Sequence, residues 1–202
     1  AGAYGTSRSI KTQAVLPAVP TGIHQTATDN SVTISWNTTA NATGYDLKFN
    51  RRIYSQTANS KTITSLGSNT GYKYQVRAKN SDGAGAYSTE QTVTTAPKAP
   101  TSISAVSTAD TVTVSWNNVT GATGYILNIN NKDYHTGAGV TSYTVSGLNP
   151  KTTYSYKMCC KNADGAGAYG TSRSIKTQAV LPVVPTGIRQ TATDNSVTIS
   201  WN

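Results

Sequence analysis

The residue types that could support catalysis are few in this sequence and lie scattered along it. Catalysis needs a nucleophile with a base, paired carboxylates or a metal site. The acidic residues are Asp29, Asp46, Asp82, Glu90, Asp110, Asp133, Asp164 and Asp194. Most of them stand in Gly-, Asn- and Ser-rich stretches, where Asp commonly shapes a turn. We therefore predict that the chain has no catalytic residue and is not an enzyme.

The cysteines and histidines offer no pattern typical of a metal site. Cys159 and Cys160 are adjacent, so they cannot form an ordinary disulfide bridge across a fold. His24 and His135 lie far apart, and neither stands at metal-ligand spacing from the cysteines. The sequence also lacks a phosphate-binding or dinucleotide-binding motif. It thus predicts neither a metal nor a cofactor.

The charge of the chain indicates what it could bind. Lys and Arg number 17 against 8 acidic residues, which gives a net charge of +9. Such a surface favours anionic partners, and we expect an anionic polysaccharide or a cell wall rather than a specific nucleic acid. The alternative is a solvated basic surface with no dedicated ligand. No apolar run approaches the roughly 20 residues of a membrane span, so we expect no membrane insertion.

Internal repetition dominates the chain. Residues 1–37 recur as residues 166–202, with an offset of 165. The two copies differ only at Ala18/Val183 and His24/Arg189. A looser repeat lies inside this one, because similar segments end at Trp36, Trp116 and Trp201, which are 80 and then 85 residues apart. Two slightly different units of about 80 residues thus form a super-repeat, as in rod-like or filamentous arrays.

Each unit has the pattern of several short β-strands. Apolar residues alternate with polar ones from Val32 to Trp36, from Tyr45 to Phe49 and from Tyr72 to Ala78. This is the period of a half-buried strand, and the Gly, Asn, Asp and Pro clusters between the segments supply turns. Several antiparallel strands in a unit of this length predict an all-β fold in which each unit is a β-sandwich.

The unit resembles the fibronectin type III module. The shared features are a Pro-rich entry, the strand that ends at Trp36, the Gly44-Tyr45 pair, and a Leu followed six residues later by a Tyr. The second unit carries the last feature as Leu-x-Pro-x-Thr-x-Tyr from Leu148 to Tyr154, whereas the first has Ser68 in place of the proline. The resemblance implies tandem immunoglobulin-like sandwiches. It also implies a tyrosine corner, in which the Tyr hydroxyl binds the backbone between strands E and F.

The resemblance divides the chain into four parts. We expect residues 1–16 to be the last strand of an upstream module, 17–96 a complete module, 97–181 a second module, and 182–202 the first two strands of a further one. We call 17–96 module one and 97–181 module two. The proline-rich junctions between the parts predict semi-rigid spacers. We interpret the whole as a window on a longer repetitive chain.

A basic face is predicted on module one. The family's strand order implies that the strand Tyr45–Phe49 (strand C), the strand that follows it (C′) and the strand Tyr72–Ala78 (strand F) share one sheet. The alternation of strands C and F then places a set of cations outside the core: Lys48, Arg51, Arg52, Lys73 and Arg77. These residues could bind an anionic polymer. Alternatively, their charges only keep the sheet from aggregating through its edge.

The same alternation predicts opposite surroundings for the two cysteines. Tyr154, Tyr156 and Met158 are expected to face the core, which places Cys160 in the core and Cys159 on the outside. We expect Cys159 to carry an exposed thiol. It either stays free or cross-links to a neighbouring chain, and the absence of a cysteine in module one favours the free thiol.

These observations lead to three hypotheses about function. The first is a non-catalytic structural segment of a longer, secreted, bacterial surface protein, which forms a filament or stalk and whose partners are neighbouring copies. The second is a spacer or carbohydrate-associated segment of a secreted polysaccharide-degrading enzyme, since modules that resemble this family accompany such enzymes. The third is an adhesin that binds an anionic polymer through the basic face. The complete open reading frame would separate them.

Overall fold

The computed structural model describes residues 13–202, and these contain strands but no helix. No described segment therefore has the form of a membrane-spanning helix. The prediction for residues 1–16 falls mainly on residues 1–12, which lie outside the described residues. Residues 13–20 belong to no strand and precede β1.

Module one is a sandwich of two antiparallel sheets. Its strands are β1 (His24–Ala27), β2 (Val32–Ser35), β3 (Gly44–Phe49), β4 (Arg52–Gln56), β5 (Ser60–Ile63), β6 (Gly71–Asn80), β7 (Gly83–Ala84) and β8 (Gln91–Thr94). One sheet has the order β1-β2-β5. The other has the order β4-β3-β6-β7, and β8 also pairs with β6. This confirms the all-β sandwich.

Module two repeats this arrangement. Its strands are β9 (Ile103–Ser107), β10 (Val112–Trp116), β11 (Gly124–Ile129), β12 (Lys132–Gly137), β13 (Ser142–Val145), β14 (Thr153–Lys161) and β15 (Arg173–Lys176). The sheets have the orders β13-β10-β9 and β12-β11-β14-β15. In residues 182–202, β16 (Arg189–Thr193) and β17 (Ser196–Ser200) form an antiparallel hairpin.

The core lies between the two sheets of each module, on the faces that the alternation predicts. In module one, Ile34 and Trp36 from one sheet meet Tyr45, Leu47 and Val76 from the other, and all are buried. Such β-branched and aromatic residues pack well on a pleated surface, which is why these segments form strands. Module two has an equivalent core that includes Trp116, Tyr125 and Cys160.

Two local devices fix the chain path in each module. A two-residue turn joins β3 to β4, and both of its residues, Asn50 and Arg51, have positive φ angles, as a type I′ hairpin requires. The tyrosine corner is also present. The Gly67 N–H donates a hydrogen bond to the Tyr72 hydroxyl at 2.9 Å, and the Asn149 N–H donates to the Tyr154 hydroxyl at the same distance.

Candidate functional site

The outer face of module one is the side of the β3–β6 sheet that points away from the core. In an antiparallel pair, residues directly opposite each other lie on the same face. Lys48 lies opposite Gln75, and Asp46 lies opposite Arg77, so these four residues are on the outer face. Lys73 joins them because it is two residues from Gln75 on the same strand.

A buried carboxylate organises part of this face. Asp46 is only 5% exposed, although it is on the outer side of the sheet. Its oxygens accept hydrogen bonds from Arg77 Nε at 3.0 Å, from Lys79 Nζ at 2.8 Å and from Ser55 Oγ at 2.6 Å. We call these four residues the Asp46 cluster. Because one carboxylate is shared by two cations, the cluster keeps a net positive charge, but both Arg77 and Lys79 are held within the fold by Asp46.

The ionisation of Asp46 reflects two opposed effects. Burial raises the pKa of the carboxyl, but hydrogen bonds from Lys79, Ser55 and Arg77 lower it further than burial raises it. The net pKa of Asp46 therefore lies below its ordinary value. The carboxylate stays charged at neutral pH and holds the two cations in place.

A shallow cleft of about 380 Å³ opens beside the Asp46 cluster. Its lining residues are Lys48, Asn50, Arg51, Lys73, Tyr74, Gln75 and Glu90. Lys73 Nζ forms a salt bridge to Glu90 Oε1 at 2.6 Å, and this contact lowers the pKa of Glu90. Among the described residues, Lys48 and Arg51 have no ion-pair partner. They are the cations of the cleft that remain available for an anionic ligand.

Tyr87 packs against two cations of the outer face. The Tyr87 ring contacts Arg77, whose Cζ lies 4.5 Å from the ring centroid, and Lys48, whose Nζ lies 5.8 Å away. Such cation–π contacts orient the cations without neutralising their charge. The Tyr87 hydroxyl is buried and has no hydrogen-bond partner among the described residues.

The prediction that Arg52 shares this basic face is wrong. Arg52 lies opposite Phe49, whose side chain is buried in the core, so Arg52 points to the other side of the sheet. Its guanidinium lies over the Tyr54 ring, with Cζ 4.9 Å from the centroid. The cause is the two-residue turn, because it places Arg51 in the hairpin loop and starts β4 with Arg52 on the inner side.

The matching face of module two carries different chemistry. Ile126 lies opposite Cys159 in module two, where module one has Asp46 opposite Arg77. The strand pairings also place Asn128, Asn131 and Ser155 at the positions of Lys48, Arg51 and Lys73. All three cleft cations are therefore neutral residues in module two. Module two instead has a cation, Lys157, in the place of Gln75, so the two faces carry their charge at different positions.

The exposed thiol predicted at Cys159 is also wrong. Cys159 is 1% exposed, although it lies outside the core cluster, on the outer side of β14. Burial, together with the nearby carboxylates of Asp133 and Asp29, raises the pKa of its thiol to about 11. Because Asp29 belongs to module one, the neighbouring module lies close to this cysteine. Alternation correctly gives the side of the sheet, but not what covers it.

A second candidate site lies at the ends of the modules. Two side chains of the loop after β14 bind the backbone of module one. Asn162 Nδ2 donates hydrogen bonds to the carbonyl oxygens of Thr94 and Thr95 at 3.2 and 3.0 Å. Asp164 Oδ2 accepts a hydrogen bond from the Thr94 N–H at 2.7 Å. We call such an Asn-x-Asp pair, which grips both backbone groups of one upstream residue, the clasp.

Module one has the same clasp. Asn80 Nδ2 donates a hydrogen bond to the Val15 carbonyl oxygen at 2.8 Å, and Asp82 Oδ2 accepts one from the Val15 N–H at 3.1 Å. The glycines of the loop permit this approach. A side chain at Gly85 would collide with the Pro17 carbonyl oxygen, and a Cβ at Gly167 would lie 2.6 Å from that of Pro97.

The joint between modules one and two has additional contacts. The Ala168 N–H donates a hydrogen bond to Asp29 Oδ1 at 3.1 Å, and the Ala27 N–H donates to the Asp164 carbonyl oxygen at 3.1 Å. The corresponding turn of module two has Ala109 where module one has Asp29. Successive joints in this super-repeat therefore differ, and the Asp29 contact belongs to the joint described here.

Sequence reasoning missed the clasp. It treated Asp82 and Asp164 as turn residues, and they do shape turns, since Asn80 and Asn162 accept hydrogen bonds from backbone N–H groups within their own loops. The available signal was the Asn-x-Asp-Gly-Ala-Gly-Ala-Tyr segment that both modules share. A turn alone would require only a few of these residues, so the longer shared segment indicates a further role.

Within residues 13–202, no three His, Cys, Asp or Glu side chains come together in a way that could hold a metal ion. Two surface features are therefore the candidate sites: a cationic cleft on module one and a clasp that binds the backbone of the preceding segment in each module.

Comparison with known proteins identifies the family. A sequence model of the fibronectin type III domain matches residues 18–94 and again residues 98–178. The chain belongs to the fibronectin type III family. The two matched segments correspond to the two sandwiches described above, so most of the described chain consists of fibronectin type III domains.

Bacterial enzymes are among the relatives. Chitinase A1 of Niallia circulans is 33% identical over 183 residues, which cover 81% of this chain and 26% of that protein. Exoglucanase B of Cellulomonas fimi is 32% identical over 200 residues, which cover 86% of this chain and 18% of that protein. The chain thus spans about a quarter or less of the length of these relatives.

A solved structure supports the fold alone. The FN1–FN3 domains of chicken CNTN1 superpose with a TM-score of 0.57 at 21% identity, covering 84% of this chain and 70% of that one. The likeness confirms tandem fibronectin type III sandwiches.

Proposed function

We propose that this chain is a non-catalytic, stiff spacer within a longer extracellular protein, in which fibronectin type III modules hold other parts at a fixed distance. The clasp carries the proposal. It binds the backbone of the preceding segment with two side chains, so module two is fixed to module one, and module one to the segment around Val15. Flexible linkers would not hold such a geometry, whereas a linker with proline and with its backbone groups bound behaves as a semi-rigid spacer.

The relatives support a particular setting for this spacer. Chitinase A1 and exoglucanase B carry the names of polysaccharide-degrading enzymes, and the similar part is a minor share of each. An accessory position beside a catalytic domain is consistent with this coverage. The near-identical super-repeat supports the other setting, a secreted filament or stalk. Both settings require the same property, which is a fixed orientation between modules.

The orientation between modules one and two is directly measurable. Residual dipolar couplings should give one common alignment tensor for both modules, because the clasp and the Asp29 contact lock the joint. In an Asn162→Ala/Asp164→Ala variant the two tensors should diverge, while the amide spectrum within each module stays native. The matched control is Asn80→Ala/Asp82→Ala, which opens the other clasp and should leave the tensors equal. Different tensors in the unmodified chain would contradict the spacer.

A second candidate function is binding of an anionic polysaccharide at the cleft of module one. Two unpaired cations, Lys48 and Arg51, flank the amides of Asn50 and Gln75. Amides and cations together suit a polymer that carries both hydroxyl and carboxylate groups. Because the cleft occurs once in each super-repeat, weak binding at one cleft would be multiplied by binding at several along the polymer.

The backbone of Arg51 favours this candidate. Arg51 has a φ of 73°, in the left-handed region that Asn or Gly adopts more easily. Module two has Asn131 at the corresponding position, with a φ of 67°. Module one thus keeps an arginine at a position that does not suit it conformationally. Strained positions of this kind often coincide with functional sites.

Binding to a carboxylated polysaccharide such as polygalacturonate tests this candidate. A Lys48→Asn/Arg51→Asn variant gives module one the residues of module two. It should bind about 2- to 30-fold more weakly, since each of the two exposed charge contacts contributes roughly 0.2–1 kcal/mol. Lys61 lies opposite the buried Ile34, so it is away from the cleft, as Arg52 is. The control, Arg52→Asn/Lys61→Asn, therefore lowers the net charge equally without touching the cleft and should bind like the parent. Equal loss in both variants would mean that net charge alone causes the binding.

A further inference from the structure

A cavity of about 400 Å³ lies at the joint between module one and module two. Its wall includes Asp29 from a turn of module one, Lys98 from the linker, and Tyr169 and Arg173 from module two. Ligand-binding pockets typically have about 300–1,000 Å³ and lie preferentially at domain interfaces. The cavity therefore has the size and the position of a ligand site, and both sandwiches that form it are complete.

Three charged side chains line this cavity without forming an ion pair. The salt bridges of the described residues all lie within module one, away from the joint. Arg173 Nη1 donates a hydrogen bond to the Ile103 carbonyl oxygen at 2.9 Å, which leaves other N–H donors of the guanidinium for a ligand. Asp29 accepts the Ala168 N–H at Oδ1, so its second oxygen is also available.

The corresponding positions elsewhere in the chain carry no charge. The Pro-x-x-Pro linkers and the strand pairings give the counterparts: Ala18 and Val183 for Lys98, Gln91 for Arg173, and Ala109 for Asp29. The clasp of module one forms beside Ala18 and Gln91, so a clasped joint does not need these charges. Their meeting in one cavity indicates a role in binding a ligand.

The combination of groups indicates which ligand fits. Arg173 and Lys98 favour a carboxylate, which a guanidinium can bind through two parallel hydrogen bonds. Asp29 repels a plain anion but accepts hydrogen bonds from hydroxyl groups. Tyr169 is half-buried, and its hydroxyl already donates to Asp133 Oδ1 at 2.8 Å, so its ring offers the cavity an apolar surface. A sugar acid combines a carboxylate, hydroxyl groups and a ring with apolar C–H groups.

We propose that the cavity between the modules binds a uronic acid residue of a polysaccharide, with the carboxylate at Arg173 and Lys98 and a hydroxyl group at Asp29. The site is separate from the cleft of module one. It also goes beyond the spacer function, since ligand binding is measured independently of the alignment of the two modules. Because Asp29 and Arg173 belong to different modules, a bound sugar contacts both of them.

A titration with digalacturonate tests the site. The full chain carries Lys48→Asn/Arg51→Asn, so that the cleft of module one does not contribute. The amide signals of Ala168, Gly170 and Thr171, which line the cavity, should shift until they saturate. The uncharged disaccharide galactobiose should bind about tenfold more weakly or less, because hydrogen bonds to charged groups are among the stronger ones. Equal binding of the two disaccharides, or no saturable shift at the cavity, would overturn the proposal.

A charge-matched pair of variants locates the binding. Lys98→Ala/Arg173→Gln introduces the residues found at the equivalent positions of module one and should weaken digalacturonate binding about tenfold. The control, Lys132→Ala/Lys176→Gln, removes the same charge from exposed positions of module two that do not line the cavity. It should bind like the parent. Equal losses in both variants would mean that net charge, and not the cavity, causes the binding.

The role of Asp29 has a separate readout, which is the preference between two dianions. Digalacturonate has hydroxyl groups, whereas succinate has none. In Asp29→Asn an oxygen remains for the Ala168 N–H, but the charge that attracts hydroxyl donors and repels anions is gone. The preference for digalacturonate over succinate should therefore fall about tenfold. An unchanged preference would overturn the assignment of the ligand as a sugar acid held at Asp29.

Discussion

Replacing Trp36 by Ala should lower the free energy of unfolding of module one by about 3–5 kcal/mol. The indole is buried between the two sheets, and its ring centroid lies 5.4 Å from that of Tyr45 in an edge-to-face contact. Its Nε1 has no hydrogen-bond partner among the described residues, so it stabilises the module through packing alone. Trp36→Phe should accordingly cost less. Trp116 has the same surroundings, with Tyr125 at 5.4 Å, and should behave alike.

The exposed Trp201 provides the matched control. It lies in the same local sequence as Trp36, so Trp201→Ala removes the same side chain without opening a cavity. Its effect should stay within about 0.5 kcal/mol, as for ordinary surface substitutions. Urea unfolding followed by amide signals of each module separately measures these changes. Near-native stability of Trp36→Ala, combined with lost polysaccharide binding, would make the tryptophan a ligand-stacking residue instead.

The core and the tyrosine corner could be predicted from the sequence because local spacing determines both. Alternation in β3 and β6 gives the inward set, since a strand turns each successive side chain to the opposite face. The Leu-to-Tyr spacing places the hydroxyls of Tyr72 and Tyr154 beside the connections β5–β6 and β13–β14, where the backbone N–H groups of Gly67 and Asn149 donate to them. Such features need no knowledge of distant segments.

The predictions for Arg52 and Cys159 are wrong because the surroundings of these residues depend on a turn or on a distant segment. Alternation within a strand does not show that a two-residue turn reverses the side on which Arg52 begins β4. Nor does it show that Cys159, on the outer side of β14, lies near Asp29 of the neighbouring module. The clasp was not predicted for the same reason, because it binds the distant residues Thr94 and Val15 through their backbone groups. Backbone recognition leaves little trace in the recognised sequence.

Replacing Asp46 by Ala should destabilise module one by about 2–3 kcal/mol, because Arg77 and Lys79 would then face each other without a carboxylate. The expected loss is below that of a fully buried ion pair, since the side chains of Arg77 and Lys79 remain 29% and 34% exposed. Urea unfolding at pH 7 measures it. Glu90→Ala, which removes an exposed acid of module one paired with the exposed Lys73, is the control and should have a much smaller effect.

The Asp46 cluster also predicts how module one responds to acid. The pKa of Asp46 is lower in the folded state than its ordinary value of 3.8. Its ionised form thus contributes stability that is present above pH 3.8 and is lost as the pH falls through the folded-state pKa. In the Asp46→Ala variant this part of the acid sensitivity should disappear. An unchanged acid profile would show that other carboxylates control it.

Module two indicates which second substitution can restore the stability that is lost when Asp46 is replaced. Its sheet has Ile126 opposite Cys159 where module one has Asp46 opposite Arg77, and it keeps a lysine, Lys161, in the place of Lys79. An Asp46→Ile/Arg77→Cys variant should therefore recover to within about 1 kcal/mol of the parent, because apolar pairs often replace buried ion pairs at little cost.

The single exchange Asp46→Ile should remain destabilised, since it leaves Arg77 beside an apolar residue. The reverse change in module two, Ile126→Asp, should be at least as harmful, because Cys159 cannot supply the positive charge that Arg77 supplies to Asp46. If the double variant is as unstable as Asp46→Ile alone, the pair does not act as a unit. The stability of module one would then depend on Lys79 and Ser55 as the partners of Asp46.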